Sequence, residues 1–232
     1  MAKLSILIPV YNEKETILRL LEKVGEVDLG RIEKEVIIID DFSTDGTREL
    51  LQSIKNKYKI LFHDKNYGKG RAIRTGLEKV TGDWVIIQDA DLEYNPDDIK
   101  VLLAKMLEPG VSVVYGSRRL NVNLLKTKHS GLSFAIGGIF LTGLTNLLYK
   151  TKITDEAVCY KMFKTELLKS FNLESERFEF CPEVTAKTAK RKIKIHEVPI
   201  NYHPRHKKEG KKINWRDGLE AIWTLIKYKF RK

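Results

Sequence analysis

Short apolar segments alternate with helix-like segments through the first 120 residues, and this alternation constrains the fold more than any other feature of the sequence. The apolar segments are rich in valine and isoleucine and are bounded by polar turns, which is typical of buried β-strands. They cover Leu4–Val10, Val36–Ile39, Ile60–Phe62, Trp84–Ile87 and Val111–Tyr115, and helices are predicted over Glu15–Val24, Gly46–Lys55, Arg71–Val80 and Pro96–Leu107. The alternation predicts an α/β fold, in which a mostly parallel central sheet is covered by helices on both faces.

Polar clusters follow four of the predicted strands. These clusters are Tyr11-Asn12-Glu13, Asp40–Gly46, Asp89-Ala90-Asp91 and Gly116-Ser117-Arg118. The carboxyl ends of parallel strands meet at one edge of a sheet, and ligands of open α/β sheets bind there. One such cluster would be an ordinary helix cap, but four at the same predicted edge indicate a single site.

Three acidic residues at alternate positions follow the fourth strand, namely Asp89, Asp91 and Glu93. In extended backbone, residues i and i+2 point the same way, so these carboxylates repel one another unless a cation lies between them. Oxygen ligands suit Mg²⁺ or Mn²⁺, which commonly bind substrate phosphates as well. The alternative is an acidic turn that caps the next helix, but Asn95 and Pro96 already provide its start signal. The sequence therefore predicts a divalent metal at these three acids.

A metal with bound phosphates implies a nucleoside pocket beside it. Tyr11 can stack on a planar ring, and the carboxylates of Glu13 and Asp41 can accept hydrogen bonds from a base or from ribose hydroxyl groups. Each motif alone has a plainer interpretation, since Asp40–Gly46 could be an N-cap with an Asx turn. Together, and each after a strand, the motifs predict a nucleotide site.

The length of 232 residues fits one large domain, or one domain with an appendage. Cys159 and Cys181 are the only cysteines and show neither metal-ligand spacing nor a disulfide framework, so a reducing compartment is expected. The apolar run at Leu4–Val10 is interpreted as a first strand, and no secretion signal is predicted.

The net charge of +11 belongs entirely to the C-terminal fifth of the chain. Residues 187–232 hold 15 Lys and Arg against 4 Asp and Glu, whereas the first 186 residues hold 27 of each kind. A basic tail favours nucleic acid, an anionic membrane surface or a phosphorylated ligand as partner. The alternative is a solvated run of charges.

The pattern changes beyond residue 120. Gly131–Tyr149 is uncharged and long enough to span a bilayer, but its glycines and polar residues favour a buried or membrane-surface helix. Further strands are predicted at Val158–Phe163 and Lys194–Val198. The last segment places Trp215, Leu219, Ile222, Trp223, Ile226 and Phe230 on one helical face, with Lys227, Lys229, Arg231 and Lys232 around its end. Such a helix suits the interface of an anionic membrane, and the alternative is a last helix docked on the core.

The motifs at the strand ends resemble the family 2 glycosyltransferases, whose domain has the GT-A fold. The matching segments are "SILIPVYNE", "VIIIDDFSTDGT", "NYGKGRAIRTG", "GDWVIIQDADLEYNP" and "VVYGSR". Later segments, "ITDEAVCYKMF", "RFEFCPEVTAK" and "IHEVPINYHPR", are similar to the polyprenyl- or dolichyl-phosphate hexosyltransferase branch. The resemblance implies a Rossmann-like GT-A domain over 1–212, with a nucleotide-sugar half at 1–118 and an acceptor half at 119–212. A basic amphipathic helix at 213–232 would follow.

The resemblance also implies a role for each matching residue. The nucleotide sugar would contact Pro9, Tyr11, Glu13, Ile39, Asp41, Lys69, Asp89, Ala90, Asp91, Arg118, Glu179 and Arg205. The catalytic residues would be Asp91, Arg118, Asp155 and Arg205, with Asp89, Asp91 and Glu93 on Mg²⁺ or Mn²⁺. The branch often has Gln at Glu93 and Ser/Thr-Gly at Val158-Cys159, and its mannosyl members carry Lys near Glu179. These departures leave the donor sugar open.

The implied reaction moves mannose or glucose from GDP-mannose or UDP-glucose to polyprenyl or dolichyl phosphate. A lipid monophosphate is already an anionic nucleophile, so no strong general base is required and simple displacement inverts the anomeric centre. The metal and arginines would stabilise the leaving diphosphate. The implied location is cytoplasmic, peripheral at the inner face of the cell membrane, with a membrane-protein partner or a homo-oligomer both left open.

Two other hypotheses are kept. The same fold could act on a glycan, protein or small-molecule acceptor, which assays with lipid and other acceptors would separate. A basic nucleic-acid-binding module would instead show a salt-steep affinity for DNA or RNA. The aspartate clusters repel phosphate backbones unless they hold metal, and no base-reading motif is present, so nucleic acid is not expected as a partner.

Overall fold

The computed structural model describes residues 1–120, 132–205 and 215–231, with all side chains in these ranges except those of 132–134. Its strands are β1 (Lys3–Val10), β2 (Glu33–Asp40), β3 (Lys59–Phe62), β4 (Trp84–Ile87), β5 (Val113–Ser117), β6 (Lys161–Lys164) and β7 (His196–Pro199). They form one sheet in the order β3-β2-β1-β4-β6-β5-β7. Strand β6 runs antiparallel to β4 and β5, and the other pairs are parallel. The predicted α/β fold with a mostly parallel sheet is confirmed.

The helices connect and cover the strands. They are α1 (Ile17–Glu26), α2 (Thr47–Ser53), α3 (Lys69–Leu77), α4 (Ile99–Met106), α5 (Leu132–Tyr149), α6 (Thr165–Lys169), α7 (Phe180–Lys190) and α8 (Trp215–Phe230), with a 3₁₀ turn at Pro96–Asp98 before α4. The sequence did not predict α6 or α7. Helix α7 lacks an apolar stripe because Glu183, Thr185 and Thr188 are among its buried residues.

The apolar pattern placed the first residue of several strands imperfectly, including β2 and β7, which begin at Glu33 and His196 instead of Val36 and Lys194. Strand β6 begins at Lys161, whereas the sequence predicted a strand from Val158. Val158, Cys159 and Tyr160 are buried, and the Lys161 N–H donates to Cys159 O at 2.9 Å in a tight turn. The apolar character of Val158 and Cys159 therefore reflects burial ahead of the strand, whereas Tyr160 O still accepts the Gly116 N–H of β5 at 2.8 Å. Strand β5 likewise begins at Val113 instead of Val111.

The register of the central strands brings their carboxyl ends to one edge. Val10 lies opposite Asp40 across β1 and β2, and Leu7 lies opposite Ile87 across β1 and β4. A Cβ atom on Gly76 of α3 would lie 2.6 Å from Ile39 Cδ1, so glycine allows this helix to pack closely on the sheet. The residues that follow β1, β2 and β4 consequently share the edge that the sequence predicted.

Helices α5, α7 and α8 pack against one another. The Tyr149 hydroxyl of α5 donates to Leu225 O of α8 at 2.6 Å, and the Tyr228 hydroxyl donates to Glu183 Oε1 of α7 at 2.8 Å. Helix α8 is thus docked through its buried Leu225 and Tyr228, while Trp215, Trp223 and Phe230 remain exposed. Among the described helices, none combines the length and hydropathy needed to cross a bilayer.

Strands from both predicted halves of the domain pair within one sheet. Strands β6 and β7 come from the predicted acceptor half, yet β6 pairs with β4 and β7 pairs with β5 in the same sheet as the nucleotide half. The two halves therefore share one core. The predicted boundary between 212 and 213 lies outside the described residues, and the division itself stays a prediction.

Candidate active site at the carboxyl edge of the sheet

The turns after β1 and β2 are fastened to each other. The Asn12 N–H donates to Ser43 Oγ at 2.9 Å, and the Glu13 N–H donates to Thr47 Oγ1 at 2.9 Å. Asn12 adopts a left-handed φ of 50°, a conformation that asparagine tolerates better than most residues. These contacts place Tyr11 and Glu13 at the sheet edge, as predicted.

Asp41, at the end of β2, is surrounded by protein donors. Its Oδ1 accepts the Tyr67 N–H at 2.9 Å and lies 2.7 Å from His63 Nδ1, and its Oδ2 accepts the Gly68 N–H at 2.7 Å. The residue is 3% exposed. Asp41 therefore anchors the loop before α3, and its predicted contact with a nucleoside stays a prediction.

His63 completes this corner and was missed by the sequence reasoning. Its Nε2 lies 3.0 Å from Thr75 Oγ1 of α3, so the ring bridges Asp41 and that helix. His63 directly follows the predicted strand Ile60–Phe62. Its place at a strand end was the signal that could have identified it.

Asp89 and Lys69 form an ion pair across the edge. Lys69 opens α3, and its ammonium group contacts Asp89 Oδ1. Burial lowers the pKa of Lys69, but the Asp89 carboxylate outweighs burial and raises that pKa well above its usual value. Lys69 therefore stays charged and neutralises Asp89.

Arg205 binds the next acids along the edge. Its Nη1 and Nη2 donate to Glu13 Oε2 and Oε1 at 3.1 and 2.8 Å, and Nη2 lies 3.3 Å from Asp91 Oδ2. Glu93 lies beside them: its Oε1 accepts the Arg205 backbone N–H at 2.8 Å and its Oε2 accepts the Tyr202 hydroxyl at 2.7 Å. The segment after β7 thereby closes onto the end of β4.

The electrostatics of Asp91 distinguish it from its neighbours. Burial and the negative charges of Asp89 and Glu93 raise the pKa of Asp91 to about 7, although Arg205 acts in the opposite direction. Strongly perturbed carboxyl groups in a cleft are typical of functional sites.

The carboxylates predicted as metal ligands do not converge. Asp89 faces Lys69, Asp91 faces Arg205, and Glu93 holds Tyr202. Within the described ranges, no group of three His, Cys, Asp or Glu side chains is arranged to hold a metal. Glu93 therefore connects the end of β4 to the segment after β7 through hydrogen bonds, and its carboxylate is not grouped with those of Asp89 and Asp91. Asp89 and Asp91 still fit Mg²⁺ or Mn²⁺ chemically, because such ions commonly bind one or two carboxylates and take their remaining ligands from substrate phosphates and water.

Arg118 and Asp155 form a two-point ion pair at the end of β5. Arg118 Nε and Nη2 each donate to an Asp155 oxygen at 2.7 Å, and the guanidinium lies 4.9 Å from the Tyr202 ring centroid. Burial raises the pKa of Asp155, but Arg118 outweighs burial and holds that pKa below its usual value. Asp155 is fully buried, so the structure places it behind Arg118 and not at an acceptor surface.

The remaining predicted residues lie around this edge in different roles. Pro9 pairs with Ile39 across β1 and β2, and the Ile39 side chain is fully buried in the core, so their predicted contacts with the nucleotide stay predictions. Ala90 is buried between the two aspartates. Glu179 precedes α7, where its Oε1 accepts the backbone N–H groups of residues 176 and 177.

A cleft of about 760 Å³ opens in front of Arg205. Its walls include the turn after β1, Asp91, Leu92 and His203. This volume is within the range of small-molecule sites, which commonly run from about 300 to 1,000 Å³. Asp91, which follows β4, and Arg205, which follows β7, therefore line the same cleft.

Solved structures share this architecture. Glucosyl-3-phosphoglycerate synthase from Mycobacterium tuberculosis, in complex with Mn²⁺, UDP and phosphoglyceric acid, superposes with a TM-score of 0.71 at 19% identity. The match covers 99% of this chain and 79% of that chain. At this identity the likeness shows the fold, and it places the chain in the GT-A class of α/β proteins.

The sequence model described as "Glycosyl transferase family 2" matches residues 5–171. The match covers more than half of the chain and includes β1 to β6. The chain belongs to glycosyl transferase family 2, as its strand-end motifs predicted.

Two curated relatives act on dolichyl phosphate, according to their names. The UDP-N-acetylglucosamine–dolichyl-phosphate N-acetylglucosaminyltransferase of Methanococcus voltae is 28% identical over 98% of this chain and 96% of its own length. The dolichol-phosphate mannosyltransferase of Pyrococcus furiosus is 26% identical over 90% of this chain, which spans only 59% of that protein. The dolichol-phosphate branch of the family is thereby supported.

Proposed function

We propose that this glycosyltransferase is metal-dependent and inverting, and that it moves a sugar from a nucleotide diphosphate sugar to polyprenyl or dolichyl phosphate. The observation that carries this proposal is the series of acid–cation pairs along one sheet edge, Asp89 with Lys69, Asp91 with Arg205 and Asp155 with Arg118, of which Asp91 and Arg205 line a cleft. Acids suit a divalent cation, and arginines suit phosphates. Both ligand types are present in a nucleotide sugar complexed with metal.

The donor sugar is proposed to be a hexose, mannose or glucose. The Methanococcus relative is named for N-acetylglucosamine transfer, so UDP-N-acetylglucosamine joins GDP-mannose and UDP-glucose as a donor to test. Glu179, where the sequence departs from the mannosyl members, and Cys159, where it departs from the branch, are the positions that we expect to influence this choice.

The chemistry of the site is one of charge stabilisation. A bound Mg²⁺ or Mn²⁺ would supply positive charge to the leaving diphosphate. Arg205 and Arg118 would bind phosphate oxygens, and Asp155 would hold Arg118 in orientation through its two hydrogen bonds. The acceptor phosphate is itself the nucleophile, so the site needs no general base.

Two helices offer a surface for the lipid substrate. Helices α5 and α8 leave large apolar side chains exposed: Ile136, Ile139, Phe140 and Leu147 on α5, and Trp215, Leu219, Trp223 and Phe230 on α8. Leu147 and Phe230 are 77% and 78% exposed. With the basic C-terminal charge, this apolar face suits the headgroup layer of an anionic membrane, proposed here as the inner face of the cell membrane.

The transfer reaction is tested with purified protein, Mn²⁺, each of the three donors, and undecaprenyl or dolichyl phosphate. We expect a lipid-linked sugar of inverted anomeric configuration from one donor. A phosphorylated small molecule and a free glycan serve as competing acceptors. Transfer only to those acceptors, or no lipid-linked product from any donor, would contradict the proposal.

Membrane docking is tested by co-sedimentation with anionic and neutral vesicles. Trp223→Glu and Phe140→Glu each place a charge on the apolar face, and we expect about a tenfold loss of binding to anionic vesicles. Leu107→Glu is the matched control, because Leu107 is an exposed apolar residue just after α4. Equal partitioning of all variants would remove the membrane role of this face.

A further inference from the structure

Arg205 occupies the centre of an acidic cluster made by Glu13, Asp91 and Glu93. Its guanidinium binds both oxygens of Glu13 and approaches Asp91, while its backbone N–H binds Glu93. Its Nε is buried and has no hydrogen-bond partner among the described residues. An unpaired buried N–H is costly, so attraction to the carboxylates, and not a complete set of hydrogen bonds, holds the side chain here.

Each aspartate of the β4 end already has its own cation. Lys69 neutralises Asp89, and Arg205 is the cation that approaches Asp91. The spacing of the acids predicts one metal between them to relieve their repulsion, whereas the protein relieves the repulsion of the two aspartates with two of its own side chains. A divalent ion bound at Asp91 would lie within a few ångströms of the guanidinium, and like charges at that distance repel strongly.

We propose that Arg205 is an internal counter-cation, and that Arg205 and a divalent metal exclude each other at Asp91 until a diphosphate is present. The inference rests on the proposed function for the identity of that diphosphate. A diphosphate brings negative charge that binds both cations, so it can draw the guanidinium off Asp91 while the metal takes its place. Metal affinity without nucleotide is then kept low by the chain itself.

The test measures Mn²⁺ binding without nucleotide at about pH 8, by the electron paramagnetic resonance signal of free Mn²⁺. Arg205→Ala removes the counter-cation, and we expect Mn²⁺ to bind at least about tenfold more tightly than to the wild type, within the usual range of coupling between sites. Arg231→Ala is the matched control, because it removes the same charge from the pair that Arg231 forms with Glu174 on the protein surface. Adding a nucleoside diphosphate should shrink the difference between Arg205→Ala and the wild type.

Equal or weaker Mn²⁺ binding by Arg205→Ala, with an unchanged melting temperature, would overturn the proposal, and so would an equal gain in Arg231→Ala. Failure of every protein to bind Mn²⁺ would overturn it as well. If Arg205→Ala does not fold, the arginine Nε resonance of Arg205 is followed in the wild type, assigned by its loss in Arg205→Lys. Mg²⁺ should shift this resonance, and an unmoved signal at saturating Mg²⁺ contradicts displacement.

These measurements need neither donor sugar nor acceptor lipid. A failed transfer assay with tighter Mn²⁺ binding by Arg205→Ala would therefore reject the proposed function alone. Successful transfer with no change in Mn²⁺ affinity would reject the role of Arg205 as counter-cation alone.

Discussion

The acidic ends of β2 and β4 lie on the same edge, yet the protein stabilises them in different ways. Asp41 binds two backbone N–H groups of the loop before α3 and the ring of His63. Asp91 accepts the Glu93 N–H at 3.0 Å and otherwise faces the guanidinium of Arg205, which comes from the far end of the chain.

The difference separates architecture from chemistry. Two donors to Asp41 are backbone N–H groups, which cannot leave without disrupting the loop before α3. The cation at Asp91 is a side chain, which can change partners by rotating about its own bonds. Asp91 is also 20% exposed to the cleft, whereas Asp41 is enclosed. We therefore expect substitutions at Asp91 to affect turnover and substitutions at Asp41 to affect stability.

The largest expected effect is the loss of transfer activity in Asp91→Asn. The substitution removes a carboxylate that lines the cleft but preserves its volume, so we expect turnover to fall at least a hundredfold, about the effect of removing one electrostatic contact to a transition state. Initial rates with lipid phosphate acceptor measure it, and the melting temperature at neutral pH reports the fold. Activity close to that of the wild type would place the chemistry elsewhere.

Asp41→Asn should have the next largest effect, on stability. The asparagine amide keeps one acceptor oxygen but turns its NH2 group toward one of the two N–H donors, Tyr67 or Gly68, at a cost of about 2–3 kcal/mol for lost charge-assisted hydrogen bonds. The melting temperature should fall by about 5–10 °C. Asp97→Asn is the control, because Asp97 is exposed and pairs with Lys100 on the same turn. A melting temperature equal to that of the control would refute the anchoring role.

Much of this edge was predictable from local sequence. The acids directly follow runs of valine and isoleucine, and the parallel register that those runs impose brings Tyr11, Asp41 and Asp91 to one side of the sheet. The exposed apolar face of α8 follows from helical spacing alone, which predicted Trp215 and Trp223 on one stripe. Short-range periodicity predicts these features because each is set by residues only a few positions apart in the sequence.

The partners of the acids were not predictable in the same way. Asp91 meets Arg205, and Arg118 meets Asp155, through contacts between residues distant in sequence that only the folded sheet brings together. The sequence therefore could not show that Lys69 and Arg205 pair with the aspartates at which a metal is predicted. The side chain of Ile39, which the family resemblance implied as a nucleotide contact, is fully buried, because both faces of β2 are covered.

A smaller effect should follow from His63→Gln. The ring of His63 spans Asp41 and Thr75, and the shorter glutamine amide can satisfy only one of them well. Losing one buried hydrogen bond costs about 1 kcal/mol, or about 2–4 °C in melting temperature. Differential scanning fluorimetry measures this shift, and transfer activity should be retained. A variant as stable as the wild type would show that Asp41 needs only its backbone donors.

The smallest expected effect is the pH dependence of stability that Asp91 contributes. Burial beside Asp89 and Glu93 raises the pKa of Asp91 to about 7 in the folded protein, while an unfolded aspartate titrates near 4. Between about pH 4 and pH 7 the folded state keeps a proton that the unfolded state has released, so stability from this group is full below about 4 and is lost as the pH rises through about 7. Asp91→Asn lacks this titration.

The melting temperature of Asp91→Asn relative to the wild type should therefore rise between pH 5 and pH 8. We expect a rise of about 2–4 °C, equivalent to about 1 kcal/mol, because partial exposure to solvent weakens the repulsion among the acids. Asp97→Asn, measured over the same range, corrects for general effects of losing a carboxylate. A melting-temperature difference between Asp91→Asn and the wild type that stays constant with pH would mean that Arg205 already compensates the Asp91 charge in full. Asp91 and Asp41 would then differ only in whether their hydrogen-bond donors can move.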